Sequence, residues 1–576
     1  MKKNKLSPNA LEVAQSRYFT NGEDWEKCVS RVARNIATTE VVDKQKTIDK
    51  FCDMIYNMDF IPAGRILRNS GRTKGSLLNC YNLGIGDSIE EIGQFIKDSL
   101  ILWSEGGGVG ANFSPLRPKG DPILGKGGRS SGLVSFIEAA DAVAGTIESG
   151  GSRRAAALAH VDISHPEVID FINAKIIDGR ISRFNISVAV NEDFLLAVEN
   201  NDNWTFKFKQ KEYNTVKAID VWNTIVSNMI KYAEPGILNW HNFSKNNSYY
   251  FSPINGTNPC GETCLSDREA CDLGSLVLPN FITGNINTNW IKLEATIKTA
   301  VRFLDNVIDI NKYVLKEIDI NVHKSRRIGI GVIGLAEYLF AKNVKYGSEK
   351  AVQETERLMQ FIRNNVYQAS VELAIEKGAF PQFNSTHYGK ASFIRKLPAS
   401  LRMDIKKYGT RNCSLMALAP TGTISLLSGY QSGIEPLFSK AHIRKDRISE
   451  RTYIHPQYQE FLINDQETPD WFVDSFDLQP KDHFEMQVAC QKYCDASVSK
   501  TINLPKETTT EDLSLLLLEY IHDLKGVTVY RDGSKEGQIL NKISEEEAIK
   551  HLQLNKKVEQ HLEASDVQCA TGACEI

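Results

Sequence analysis

Apolar residues recur at helical spacing near the start of the chain, where Val42, Ile48, Phe51, Met54 and Ile55 share one face of a predicted helix. The pattern stops at Ile61-Pro62-Ala63-Gly64, so residues 8–60 read as helical. The text from 66 to 83 is short and turn-rich. Ser88 and Glu91 then have the spacing of a capping box, which places a helix over about 89–102. A second amphipathic helix is predicted over 133–148, with Phe136, Ala140, Val143 and Ile147 along one side as core or subunit contact. Residues 165–172 begin another helix, and 184–190 read as a strand. Residues 192–250 read as helical, with Trp222, Ile225 and Ile230 in the core. A long helix over 290–314 precedes 327–335, an apolar run expected to be a fully buried strand. A last strand and turn fall at 526–533. Alternating helix and strand signals are the α/β pattern.

No Pro/Gly/Ser-rich linker or charge block divides residues 60–540, which points to one large folded body within the 576-residue chain. A hydrophobic fraction of 42%, a charged fraction of 24% and a net charge of -3 are ordinary for a globular protein and supply no field for gathering nucleic acid. The first 20 residues never reach a signal-peptide apolar core, and no run of 18 apolar residues occurs, so a cytoplasmic protein without membrane contact is expected. The eleven cysteines are then reduced by default. No aromatic residue follows Tyr530, so the last 46 residues are expected to add little core and to form a mobile tail, with a helix at 544–562.

Candidate chemistry centres on Thr257-Asn258-Pro259-Cys260-Gly261-Glu262. Pro259 disfavours helix at Asn258, and an extended segment would turn Asn258, Cys260 and Glu262 to one side. Gly261 allows a turn or a close approach to a ligand. A lone loop cysteine is usually a small buried hydrophobe, but Cys260 keeps company with Cys271 eleven residues on, with Cys80 upstream, and with Cys569 and Cys574 at the chain end. The glycines of 106–110 and Arg117 suit a close backbone approach to a phosphate ligand, whereas 120–126 is a rejected P-loop near miss. A second site is Leu418-Ala419-Pro420-Thr421-Gly422-Thr423-Ile424-Ser425, where successive N–H groups and hydroxyls make either an anion nest or a hydroxyl-rich turn. His165 reads as structural. Cys490 and Cys494, three residues apart in a predicted helix, fit a core face better than half of a zinc site, so no metal site is expected.

With 327–335, Ser432-Gly433-Ile434-Glu435-Pro436, Ser499-Lys500-Thr501-Ile502-Asn503-Leu504-Pro505 and 526–534, these motifs make the chain similar to ribonucleotide reductases from about Leu6 onward. It most resembles their dimeric, adenosylcobalamin-dependent (class II) branch. The resemblance implies a ten-stranded α/β barrel of two five-stranded parallel halves, with Cys260 at the tip of a central finger loop. It implies a helical region at 1–75 without an ATP-cone, a catalytic barrel at 76–540 and a redox tail at 541–576. Cys260 would carry the thiyl radical, Glu262 would take the 3'-hydroxyl proton and Asn258 would hold the substrate hydroxyls. Cys80 and Cys271 would be the reducing pair, re-reduced by Cys569 and Cys574. About 34 residues from Leu540 to Cys574 give a reach on the order of 30 Å, and a thioredoxin- or glutaredoxin-like protein would serve as final reductant. Thr421, Gly422, Thr423, Ile424 and Ser425 would bind the substrate phosphates. Asp87 and Arg117 would bind a dNTP or ATP effector at a homodimer interface, with Asp178, Gly179, Arg180 and Arg183 in the loop that reports the effector. The adjacent tyrosines of class I large subunits correspond to Thr528 and Val529 here, which favours a cobalamin source over a separate radical-generating subunit. A non-catalytic nucleotide-binding redox sensor is the remaining alternative, and it leaves the 258/260/262 spacing without a purpose.

Overall fold

The computed structural model describes residues 6–553 except 21, 124–126, 150–152, 178, 285, 446–449 and 535–539. Helices Pro8–Arg17, Trp25–Ile36 and Lys44–Tyr56 build the N-terminal layer. Their starts follow from capping: Ser7 Oγ accepts from the Ala10 N–H, and the Asp24 carboxylate accepts from the Lys27 N–H. Trp25, Val29, Val32 and Ile36 pack with Phe51 and Ile55 in the core. Val42 is not on the predicted face. It precedes the helix and is 76% exposed, because Asp43 adopts a left-handed conformation that breaks the chain there.

Ten strands form the main sheet: β1 (Phe60–Pro62), β2 (Cys80–Asn82), β3 (Gly108–Asn112), β4 (Ala156–Asp162), β5 (Phe184–Val190), β6 (Gly236–Asn239), β7 (Glu269–Val277), β8 (Ile328–Ile333), β9 (Thr501–Leu504) and β10 (Gly526–Arg531). Strands β2 to β6 run parallel in sequence order, which gives one five-stranded half. In the other half β7 is parallel to β8, and β9 to β10. Isolated parallel bridges, Ile330 to Met416 and Leu418 to Val498, carry the pairing from β8 toward the segment that leads into β9. The halves meet antiparallel at two seams, β2 against β7 and β6 against β10. The tenth strand is β1, laid antiparallel on β7, while residues 414–418 make bridges in place of a regular strand.

Ser88 caps helix Ile89–Ser104, its Oγ accepting from the Glu91 N–H at 3.1 Å and donating to the Glu91 carboxylate at 2.7 Å in place of the reciprocal backbone bond of a full capping box. Strand β5 and the fully buried β8 lie where the pattern puts them. Residues 192–250 differ from the all-helical expectation. Helices Glu192–Glu199, Ala218–Tyr232 and Trp240–Lys245 alternate with the hairpin Asn203–Phe208/Lys211–Lys217 and with β6, although Trp222, Ile225 and Ile230 are buried as expected. The chain end also differs. Leu540–Lys542 adds a strand to the hairpin Ala441–Lys445/Glu450–Ile454, residues 545–553 are helical, and Ile543 and Ala548 are buried, because the chain folds back onto that hairpin. The Tyr458 hydroxyl donates to Glu545 at 3.0 Å to hold this return. Cys569 and Cys574 lie outside the described residues. No described helix is long and apolar enough to cross a membrane.

Candidate active site

The central motif sits between two short strands, Gly256–Thr257 and Cys264–Leu265, paired antiparallel as a finger. At its tip the Gly261 N–H donates to the Asn258 carbonyl at 3.0 Å, and the Thr263 N–H donates to Asn258 Oδ1 at 3.0 Å. Residues 258–262 are therefore a tight turn, with Gly261 at φ +76, and not the extended segment expected from the sequence. Alternation fails accordingly: Cys260 is exposed at the tip, while Asn258 and Glu262 are 1% and 2% exposed. The finger lies against β3 because Gly110 has no side chain. A Cβ there would fall 1.8 Å from the Thr257 carbonyl oxygen. Gly110 thus brings β3 close to the finger, not to a ligand.

The buried groups meet at Cys80. Asn258 Nδ2 donates to Cys80 Sγ at 3.2 Å, and the Cys80 thiol donates to Glu262 Oε1 at 3.8 Å. Across the first seam Cys80 stands directly opposite Cys271. Opposed residues of an antiparallel pair have Cα atoms about 4.5–5.5 Å apart, inside the roughly 7 Å limit for a disulfide. Both are free thiols in this structure. The other oxygen of Glu262, Oε2, is buried with no hydrogen-bond partner among the described residues, which leaves one carboxyl oxygen for a ligand hydroxyl. Burial raises the Glu262 carboxyl above its usual range, against the hydrogen bonds from Asn258 and Cys80. Burial, then the neighbouring Glu262 charge, pushes the Cys80 thiol up as well. Cys271 is raised by burial and then by Asp272. These sulfurs stay as S–H at neutral pH, a form suited to giving up hydrogen atoms and poor as a nucleophile.

Cys260 opens into a cavity of about 470 Å³ at the second seam. Its walls are Gly236, Ile237 and Leu238 of β6, Gly526 to Tyr530 of β10, the segment from Val498 to Thr501, and Pro420. Thr528 and Val529 both line it, and so does Tyr530. Glu234 in the wall is engaged by Lys175 at 2.6 Å. Of the second motif only Pro420 reaches the cavity. Thr421 to Ser425 do not line it: the Thr421 N–H donates to Ser432 Oγ at 2.8 Å, Thr421 Oγ1 accepts from the Gly433 N–H at 2.9 Å, and a Cβ on Gly422 would meet nothing within 4 Å. Ile424 and Ser425 are buried in the short helix Ile424–Ser428, which Thr423 precedes without a side-chain cap.

The expected effector residues lie together, paired with one another. Arg117 Nε is 3.0 Å from Asp87 Oδ2, and the Arg117 N–H donates to Asp87 Oδ1 at 2.9 Å. The loop around Gly179 is pinned through Arg180 to Glu138 and through the Ser182, Arg183 and Phe184 N–H groups to Asp141. Asp178 lies outside the described residues. His165 is structural, with Nε2 at 2.9 Å from the Leu116 carbonyl. Cys490 and Cys494 are buried apart from any cluster, and no described group of three or more His, Cys, Asp or Glu side chains could hold a metal ion. Sequence reasoning missed Glu234 and Lys500 in the cavity wall, since charged residues read as surface until a distant partner is known.

A loop-tip thiol, a buried carboxyl beneath it and a cross-strand thiol pair in an α/β sheet define a thiol-dependent oxidoreductase. Residues 78–530 match the family model described as ribonucleotide reductase, barrel domain, and residues 4–75 match that of its all-alpha domain. The chain belongs to the ribonucleotide reductase family. A vitamin B12-dependent ribonucleoside-diphosphate reductase of Thermoplasma acidophilum is 33% identical over 567 residues, covering 92% of this chain and 72% of its own. The enzyme of that name from Mycobacterium tuberculosis (strain CDC 1551) is 34% identical over 580 residues, covering 93% and 81%. A ribonucleoside-diphosphate reductase subunit alpha of Chlamydia trachomatis is 26% identical, covering 88% and 56%.

Proposed function

We propose that this chain reduces ribonucleotides, as diphosphates, to 2'-deoxyribonucleotides by thiyl-radical chemistry with adenosylcobalamin as radical source. The observation that carries the reading is the cross-strand register of Cys80 and Cys271 next to Glu262 and the finger turn. The names of the B12-dependent relatives support the cofactor and the diphosphate substrate.

The cavity beside Cys260, about 470 Å³, has the size of a small-molecule pocket and room for the adenosyl part of such a cofactor, in a mainly apolar wall that carries a few small hydroxyls. Ser187, Ser499, Thr501 and Thr528 would hold it. When bound, the cofactor would supply the one-electron chemistry that takes the hydrogen atom from the Cys260 thiol. Cys260 carries the resulting radical on sulfur and takes the 3'-hydrogen atom of the ribose. Asn258 orients the ribose hydroxyls, and Glu262 accepts the 3'-hydroxyl proton through Oε2. The 2'-hydroxyl leaves as water while Cys80 and Cys271 give up two hydrogens and close a disulfide, so two electrons pass from sulfur to sugar. Cys260 then returns the 3'-hydrogen and regains the radical. The turn from Thr421 to Ser425 would hold the diphosphate through its hydroxyls and the backbone of Gly422 to Ile424, since the Thr421 and Ser425 N–H groups are already bonded within the protein. Cys569 and Cys574, on the tail of a helical-region, barrel and tail arrangement (1–75, 76–540, 541–576), re-reduce the site and pass the oxidation to a thioredoxin- or glutaredoxin-like protein. A dNTP or ATP bound at Asp87 and Arg117 of a homodimer selects the substrate through residues 178–183.

The test is anaerobic deoxynucleotide formation by the purified chain with dithiothreitol and all four ribonucleoside diphosphates. Product is expected only with adenosylcobalamin, and Cys260→Ser should lower it at least a thousandfold while the protein stays folded. Turnover without the cofactor, or only after adding a second radical-generating subunit, would sink this reading in favour of the class I alternative.

A further inference from the structure

We propose that Lys500 is a positioning residue that locks the wall of the Cys260 cavity to the turn holding Thr421. This rests on the reading of Thr421 to Ser425 as the substrate-phosphate loop. The Lys500 side chain is fully buried, yet it lines the cavity. Its ammonium donates to Glu435 Oε2 at 2.7 Å, to the Thr501 carbonyl at 2.8 Å and to His483 Nδ1 at 3.0 Å. Three donors meet three acceptors, so the group is saturated. An ammonium can only donate, so His483 is neutral with its proton on Nε2. Burial, then the Lys500 charge, holds its pKa well below the usual value.

The connection continues beyond Lys500. Glu435 Oε1 accepts from the Thr501 N–H at 2.8 Å, and the Glu435 N–H donates to the Ser432 carbonyl at 3.0 Å. Ser432 Oγ accepts from the Thr421 N–H, and Gly433 donates to Thr421 Oγ1. Hydrogen bonds therefore run from the first residue of β9, at the cavity, to the first residue of the phosphate loop. An apolar pair of the same volume would hold two segments together at least as well as a buried ion pair, which must offset its own desolvation. What the charged pair adds is direction, because Glu435 reaches the Lys500 ammonium and the Thr501 N–H at once. A substrate held by the loop that Thr421 anchors and a radical held at Cys260 must stay in fixed relation, and a displacement of about 1 Å costs on the order of a hundredfold in rate.

The experiment uses the full chain with Lys500→Met, Glu435→Gln and the double variant, each checked by its unfolding midpoint. Without cofactor, dissociation constants are measured for a ribonucleoside diphosphate and for the corresponding ribonucleoside. With adenosylcobalamin and dithiothreitol, kcat and KM are measured. Expected are an approximately tenfold weaker diphosphate, an unchanged nucleoside, a kcat lowered ten- to a hundredfold, and a double variant no worse than the worse single one. A merely structural role would weaken both ligands in parallel, and that result overturns the proposal. So does a folded variant with wild-type diphosphate affinity and kcat. Should Lys500→Met fail to fold, Glu435→Gln, nearly the same shape, decides on the same readouts. A wild-type chain that binds the diphosphate no better than the nucleoside overturns the proposal together with the phosphate-loop reading beneath it.

Discussion

Glu337 and Glu262 are both buried carboxyls raised by burial, and their partners set them apart. Glu262 shares its site with the Cys80 thiol and the Asn258 amide, whereas Glu337 accepts from the Gln431 N–H at 2.8 Å, leaves Oε2 without a partner, and is pushed up to about 7. His455 stands 3.9 Å away and burial holds it at about 4, so it stays neutral over the window in which Glu337 titrates. A carboxyl whose folded pKa lies above its unfolded value contributes stability that is complete below the unfolded pKa of 4.5 and is lost as pH rises through 7. Glu337→Gln keeps the acceptor and removes the titration. Its stability relative to the native chain should grow between pH 4.5 and 7.5 by up to about 3 kcal/mol, read by urea unfolding at a series of pH values. A difference constant across that range would refute the assignment. Glu262→Gln, by contrast, should leave the fold intact and lower kcat at least a hundredfold, since Oε2 is the buried oxygen left without a protein partner.

Among the elements, the finger and the strand behind it carry the tightest constraint. Gly110→Ala would drive a Cβ into the Thr257 carbonyl, a backbone atom that cannot swing aside, so the finger must shift. Circular dichroism close to native with kcat lowered a hundredfold or more is the expected outcome, and an unchanged kcat would show that the tip position is not critical. Local chemistry explains which elements were legible. Ser88 caps its own helix through the Glu91 N–H, and β8 is an uninterrupted apolar run, so both are written in adjacent residues. The hairpin at 203–217 was hidden because both its faces are largely wet and its turn carries Lys209 at φ +54 where a glycine or asparagine would have announced it. The turn at 258–262 was hidden for another reason. The identities of Asn258, Cys260 and Glu262 marked the site correctly, but the Asn258 amide caps its own loop through Thr263, and that overrides the extended geometry Pro259 suggests. Lys500 needs Glu435, sixty-five residues away, and no pattern in the intervening text connects them.

For the molecule as a whole, both antiparallel seams between the half-sheets bring candidate site residues together. Cys80 and Cys271 face each other across one, and the cavity opened by Cys260 is walled by β6 and β10 at the other. Parallel strands joined through helices build each half, so the places where halves abut are where side chains from distant stretches of sequence converge. The register across the first seam also has a mechanical side. A disulfide between Cys80 and Cys271 closes a loop of about 190 residues, which in the chain-entropy account restricts the unfolded state by about 5 kcal/mol. The oxidised chain should therefore melt at a higher temperature than the dithiol form in calorimetry, and Cys271→Ser should erase the difference. Each catalytic cycle would then staple the two half-sheets together and release them again, so that the protein waiting for its reductant is a stiffer object than the one ready to work.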